Sequence, residues 1–443
     1  MRSRLAPWAL TACTLLGCSN VDVVAVASMD ASVQPRDAGS VCDGVGPPVI
    51  VGDTGRALCG GGVAERSFRY ALCSCSAIAL STTITTDVFD SRSGPYMAPG
   101  GRGGAVGSNG DVMLSSPMSF GGSLWIGGAG GLRSPGSGSP VTVGGELRSA
   151  GPVGTGSALT VDLDAHVAGD VTASELTIGG ELVTPAGAVV MAGTERISSR
   201  RTDAVSVPAP CDCDPSVLLD VAGLVAAAST DNDNAASSID ATALDGYDGD
   251  TRLTLPCGRF FFDGVSGTGD LTLEINGRAA VYVRGDLSSG GALRVEIAAG
   301  AELDLFVDGV LASASEVAFG SPEHPASARL YLGGSGAVNL TGTSRFAGNV
   351  YAPRASLQTS GALEVFGSLF VGGIAASGGV EVHYDAAVLD VGADCPPEPG
   401  TCESCRDCRN QACVGGACVP CTSSAQCCSP LSCIAGRCQI EPF

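Results

Sequence analysis

The chain has 443 residues and a formal net charge of −21, with 64 glycines, 5% aromatic and 16% charged residues. Every one of its 24 basic residues is Arg, which excludes chemistries that need a lysine: the G-x-x-x-x-G-K phosphate loop, a Schiff-base cofactor site or a Ser-x-x-Lys nucleophile. So acidic a surface repels phosphate backbones and anionic headgroups, so no nucleic-acid partner is expected.

Met1-Arg-Ser-Arg4 is a short positive segment, and Leu5 to Leu16 is mostly apolar. That stretch is too short to span a bilayer but suits a signal sequence. It ends in Leu15-Leu16-Gly17-Cys18, which resembles the lipobox of bacterial lipoproteins. The resemblance implies cleavage before Cys18, lipidation of Cys18 and, with Ser19 next, sorting to the outer membrane or cell surface. The expected layout is a signal peptide over 1–17, a tether over 18–41, a first solenoid part over 42–200, a helical insert over 201–250, a second solenoid part over 251–394 and a Cys-rich module over 395–443.

The body repeats one pattern. Leu124-Trp-Ile126, Val141-Thr-Val143, Leu159-Thr-Val161 and Leu176-Thr-Ile178 start 17, 18 and 17 residues apart. Each is a short apolar–x–apolar strand, mostly followed by Gly. Such a period fits coils of a parallel β-solenoid, with apolar residues stacked inward and Gly at the corners. The fold class expected is therefore mainly β, a parallel β-solenoid in the form of a right-handed β-helix, with one helical insert and a small disulfide-rich C-terminal module. A second series follows residue 258: Tyr282, Phe306, Tyr331, Tyr351 and Phe370, each beside an apolar residue and spaced by 24, 25, 20 and 19. They read as one aromatic ladder on successive coils, pointing outward if their neighbours point in. Such a ladder suits contact with a sugar or a partner. The plainer reading is that it shields a sheet face or packs beneath a loop.

Between the two series lies the clearest helix signal. Asp214 suits an N-cap and Pro215 a first turn. Val217, Leu218, Val221, Leu224, Val225 and Ala228 form an apolar stripe. The insert would cover a side or end of one solenoid, or else join two. Cys211 and Cys213 just before it could pin it to the body.

Twenty cysteines are present. With Cys13 lost and Cys18 lipidated, an even number remains, and in an exported chain disulfides are expected. Cys42, Cys59, Cys73, Cys75, Cys211, Cys213, Cys257 and Cys395 belong to the body. Cys402, Cys405, Cys408, Cys413, Cys418, Cys421, Cys427, Cys428, Cys433 and Cys438 belong to the tail. Four bonds in the body and five in the tail is the simplest partition. Cys405-x2-Cys408 and Cys418-x2-Cys421 also have zinc-ribbon spacing, but six interleaved cysteines favour disulfides, and no metal or other cofactor is expected. The run from Cys427 to Cys438 looks like the second half of a knottin-type framework.

Four acidic groups invite a metal reading. Asp162, Asp164 and His166 read as one strand face, and so do Glu381, His383 and Asp385, but alternate strand residues lie about 7 Å apart, too far for one ion without a neighbour. Asp231-Asn-Asp233-Asn234 begins like a calcium loop but lacks the glycine at its sixth position. Asp245, Asp248 and Asp250 make an acidic turn that could hold Ca²⁺ loosely. Arg284, Asp286 and Asp308 lie near the ladder, as in solenoid polysaccharide-cleaving enzymes. No nucleophile or zinc-protease motif accompanies them.

Phe68-Arg-Tyr-Ala-Leu-Cys73-Ser-Cys75, Leu255-Pro-Cys257-Gly-Arg-Phe260, Gly348-Asn-Val-Tyr-Ala-Pro353 and His383-Tyr-Asp385 resemble motifs of uncharacterised exported bacterial β-helix lipoproteins, distantly bactofilin-like. The resemblance covers about residues 42–390 and implies no catalytic residues. The functional expectation is a non-enzymatic, lipid-anchored outer-membrane or surface protein that contacts polysaccharide or an envelope protein. The alternative is a secreted carbohydrate-active enzyme or glycan-binding module on the same scaffold.

Overall fold

The computed structural model describes residues 60–391 apart from 341, 343 and 344, together with 42, 49–51 and 56–58. In the tail it describes 402–439 apart from 403, 404, 406, 407, 409 and 429. Cys18, Cys59, Cys395, the signal segment and the tether lie outside the described residues.

Short strands, most of them of three to six residues, wind into a parallel solenoid of about 14 turns. Each turn has three faces. In the turn over residues 72–89 they are Leu72–Ser74, Ile78–Leu80 and Ile84–Phe89. These pair in parallel with Val106–Ser108, Val112–Leu114 and Met118–Phe120 of the next turn. Alternate residues point inward, so Leu72, Val106, Leu124, Leu147 and Ala165 form one buried column.

The turns do not stack in chain order. Leu72–Ser74 pairs on its other side with Leu369–Val371, and Ile84–Phe89 pairs with Val380–Asp385. The chain therefore enters the solenoid in its middle and winds outward to residue 202. It then crosses back along the side, restarts at the opposite end near residue 245, and winds inward until 369–385 meets 72–89. Strands of both series share one 25-stranded ladder. The insert thus joins two arms of one rod, not two solenoids.

Three-fold repetition within each turn explains one mistaken equivalence. Val141, Leu159 and Leu176 are in register on the third face. Leu124, however, pairs with Leu147 on the first face, and the partner of Val141 is Met118. Every face carries the same apolar–x–apolar signature, so spacing alone assigned Leu124 to the wrong face.

Corners are built from hydroxyls, carboxylates and glycine. Buried Ser74, Ser108, Ser149, Ser289 and Ser313, with Thr155 and Thr359, each donate to the carbonyl two residues on, at 2.8–3.1 Å. Asp111, Asp164, Asp170, Asp270 and Asp286 each accept a backbone N–H from the following turn. Gly130 must lack a side chain for this: a Cβ there would lie 2.1 Å from Asp111 Oδ2. At the end near residue 202 the inward register changes character. Glu195 and Arg200, paired with each other, stand over Leu176 and Leu182.

The insert is shorter and more broken than its apolar stripe suggests. Asp214 caps only a 3₁₀ turn, Pro215–Val217. Leu218 and Leu219 then run extended, because the Leu219 N–H donates to the Tyr351 hydroxyl at 3.0 Å. Two eight-residue α-helices lie among the described residues. α1 (Gly60–Ser67) was hidden by its three glycines. α2 (Val221–Ala228) is capped by Asp220, which accepts from the Gly223 N–H.

The tail folds as two copies of one small unit. Cys402–Cys413 and Cys408–Cys418 form the first, and Cys421–Cys433 and Cys427–Cys438 the second, each closed on an antiparallel hairpin. Cys405–Cys428 ties the copies together. The knottin-like reading gives way to this duplication. In the second hairpin, Ala435 has φ +50° where the first has Gly415 at +64°, a conformation that costs an L-residue about 1–2 kcal/mol.

Candidate binding groove on the outward column

One outward-facing column runs along the first face of the whole rod. In register it reads Phe261, Tyr282, Phe306, Tyr331, Tyr351, Phe370, Cys73, Gly107, Trp125, Arg148 and His166. The expected ladder is real and continues across the seam. Tyr282 stacks on Phe306 at 5.1 Å and Phe306 on Tyr331 at 4.7 Å. All five ladder residues are nevertheless buried. Leu218, Leu219, Leu224 and Val225 of the crossing segment are buried as well, and α2 packs on this face. Tyr282, Phe306, Tyr331, Tyr351 and Phe370 are therefore not an open ligand face. Burial also raises the hydroxyl pKa of Tyr282, Tyr331 and Tyr351.

Two asparagines and two disulfides fix the cover. The Asn234 side-chain amide donates to the Phe261 carbonyl at 2.7 Å and accepts its N–H at 3.0 Å, imitating a neighbouring strand. Asn109 grips Cys211 in the same two-bond way. Cys73–Cys211 and Cys75–Cys213 weld the cover to the turn at the seam. A third body bond joins Cys42 to Cys257. The crossing chain passes over Gly107, where a Cβ would lie 3.1 Å from both Cys73 Sγ and Pro210 Cβ.

Beyond that crossing the column opens. Trp125 and Arg148 are partly exposed at one side of a cavity of about 670 Å³, whose other walls include Pro208–Pro210 of the crossing segment and Ser424, Cys427, Cys428 and Leu431 of the tail. The Arg148 guanidinium lies 4.6 Å over the Trp125 ring, and its Nε donates to Glu146 at 2.8 Å. An indole platform beside a paired guanidinium and carboxylate suits a polyhydroxylated ligand. His166 follows in the column; burial and the Arg148 charge lower its pKa. Sequence reading overlooked this groove. Trp125 was visible as one repeat residue, but only register placed it at the uncovered end of the ladder.

The other expected groupings mostly disperse. Asp162–Asp164 is a corner between two strands, not a strand face; Asp162 pairs with Arg102 and Asp164 accepts the Glu181 N–H. Asp231 and Asp233 bind Arg259, so that loop is a clip. Asp245, Asp248 and Asp250 are exposed and, among the described residues, do not converge on a shared ligand position. Arg284 pairs with Asp263, while Asp286 accepts the Val310 N–H. Asp385 is buried and accepts the N–H groups of Ser91, Ala326 and Ala387, bridging the two arms. Its partner on the expected face, His383, turns instead toward Asp87 and Glu364. Burial acts to lower the His383 pKa, but the Asp87 hydrogen bond and charge, with Glu364 and Glu381, raise it overall.

Eight disulfides among the described residues mark an exported chain. Among those residues no helix is long and apolar enough to cross a membrane. A family model described as "Domain of unknown function (DUF7305)" matches residues 200–391, which covers the crossing segment and the arm that winds back to the seam. No curated protein and no solved structure matches the chain.

Proposed function

We propose that the protein is a non-catalytic, lipid-anchored component of the cell envelope, held in the outer membrane through Cys18, whose rod is a rigid scaffold for adhesion or envelope contact. The observation that carries this reading is how the polar groups are used. Many carboxylates along the rod, Asp111, Asp164, Asp270, Asp286 and Asp304 among them, bind backbone N–H groups or arginines, and disulfides lock both the cover and the tail. Such an arrangement supports shape and durability outside the cell. In cells grown with labelled fatty acid, the protein is expected to carry label and fractionate with the outer membrane. Cys18→Ala should lose both; label retained in that variant would sink the anchoring.

The groove favours a second, compatible role as a glycan-binding module. Its support is the Trp125–Arg148–Glu146 arrangement at the uncovered end of the column. Purified protein should bind polysaccharides on a glycan array without cleaving them, and Trp125→Ala should weaken binding by about tenfold, the loss of one aromatic contact surface being worth about 1.5 kcal/mol. Trp125 is partly exposed and outside the rod's inner columns, so the variant should still fold, with only a small drop in unfolding temperature. Wild-type binding in that variant would move the contact elsewhere, and release of shortened glycan would favour an enzyme.

A further inference from the structure

His383 lies on the third face, in register with Phe366 on one side and Asp87 on the other. Its ring sits between Tyr96 at 4.0 Å and Phe366 at 4.9 Å, and its side chain is only 9% exposed. Nδ1 is 2.8 Å from Asp87 Oδ1, while Asp87 Oδ2 accepts from the Tyr96 hydroxyl at 2.6 Å and the Gly100 N–H at 3.1 Å. An ionised carboxylate has no proton to give, so Nδ1 carries the hydrogen and Nε2 of the neutral ring presents a lone pair.

That lone pair faces more acceptors. Glu364 Oε1 is 3.5 Å from Nε2, and a carboxylate oxygen of Glu381 lies within 4.8 Å of both neighbours. Arg345 holds the other Glu364 oxygen at 2.8 Å, which leaves Oε1 turned to the imidazole. With the ring neutral, three acceptors converge here without a donor, a geometry that favours a positive species between them. Ligand bonds of about 2.1 Å in a tetrahedral site put ligand atoms roughly 3.4 Å apart, close to the Nε2–Oε1 separation. Asp87 behind the imidazole completes the carboxylate–histidine pairing that orients such a ligand.

We propose that His383 Nε2, Glu364 and Glu381 form a binding site for a divalent cation of borderline softness, with Zn²⁺ as its probe. Asp87 and Tyr96 come from one arm of the rod and the three ligands from the other, so the cation would reinforce the seam. The site stands on its own geometry, apart from the envelope and glycan readings.

The test uses the mature, fully disulfide-bonded chain, stripped with chelator and titrated with ZnCl₂ by calorimetry and thermal unfolding. One saturable site per chain is expected, with an unfolding temperature that rises with Zn²⁺. Glu381→Gln, at an exposed position, should weaken binding about tenfold or more while leaving the metal-free unfolding temperature unchanged. His383→Gln should abolish binding; if it fails to fold, Glu381→Gln and Glu364→Gln decide the matter. Absence of a saturable site, wild-type affinity in both glutamate variants, or preference for Ca²⁺ over Zn²⁺ would overturn the proposal. A proton on His383 would then be the positive species that the cluster requires.

Discussion

Arg329→Ala should be among the most destabilising single substitutions in this chain, costing about 3–5 kcal/mol. The Arg329 side chain is 2% exposed and lies in a two-bond pair with Asp304, Nε to Oδ1 at 2.6 Å and Nη2 to Oδ2 at 3.1 Å. It also reaches Glu302 at 2.9 Å and the Ala326 carbonyl at 2.8 Å. Removing the guanidinium strands a buried Asp304 carboxylate and an orphaned carbonyl, and the cost comes from those groups. Arg329→Met combined with Asp304→Leu should therefore recover much of the loss, because an apolar pair of similar volume needs no solvation. Urea unfolding of the wild type and both variants tests this. If the double variant is as unstable as Arg329→Ala, the Asp304 carboxylate is not the source, and the Ala326 carbonyl and Glu302 left without the guanidinium carry the cost instead.

The second large effect lies in the paired disulfides of the cover. Cys73–Cys211 and Cys75–Cys213 each close a loop with a sequence separation of 138. Chain-entropy arguments give about 5 kcal/mol for closing so long a loop. Both bonds close nearly the same loop, so either alone retains nearly all of that constraint. Cys75→Ser with Cys213→Ser should cost under about 1 kcal/mol, whereas the four-serine variant should lose about 5 kcal/mol. It should also expose Tyr351 and its neighbours to solvent, visible as a change in near-ultraviolet circular dichroism. Equal, additive losses from each bond would mean that local strain relief or packing, rather than loop closure, dominates.

Much of the fold was legible in the sequence because its rule is local. Val141, Leu159 and Leu176 announce a turn length, and Tyr282 through Phe370 announce equivalent positions. The order of the turns was not legible. Pairing of Leu72 with Leu369 joins residues nearly 300 apart, and every edge of every turn presents the same apolar–x–apolar signature to a would-be neighbour. The same limit hid part of each site, although Glu381 and His383 were readable as one strand face. Glu364 meets His383, and Arg148 meets Trp125, only through register between turns. Even the burial of the ladder depended on where the crossing segment lay, which Asp214 and its apolar stripe do not specify. The two tail units were written in the cysteine spacing, but the additional Cys405 and Cys428 obscured the repeat.

The ion pair of Glu195 and Arg200 bears on how long the rod can be. A solenoid end is a ready template, since its last strand offers unpaired backbone groups to any similar edge. A second copy stacking there would have to bury both charges under its own apolar column, a transfer that costs several kcal/mol per ion before pairing offsets it. Growth at that end therefore stops with this chain. At about 4.8 Å per turn, about 14 turns set a span of roughly 65 Å. One polypeptide thus sets the span, and addition of a further copy is opposed at the end near residue 202.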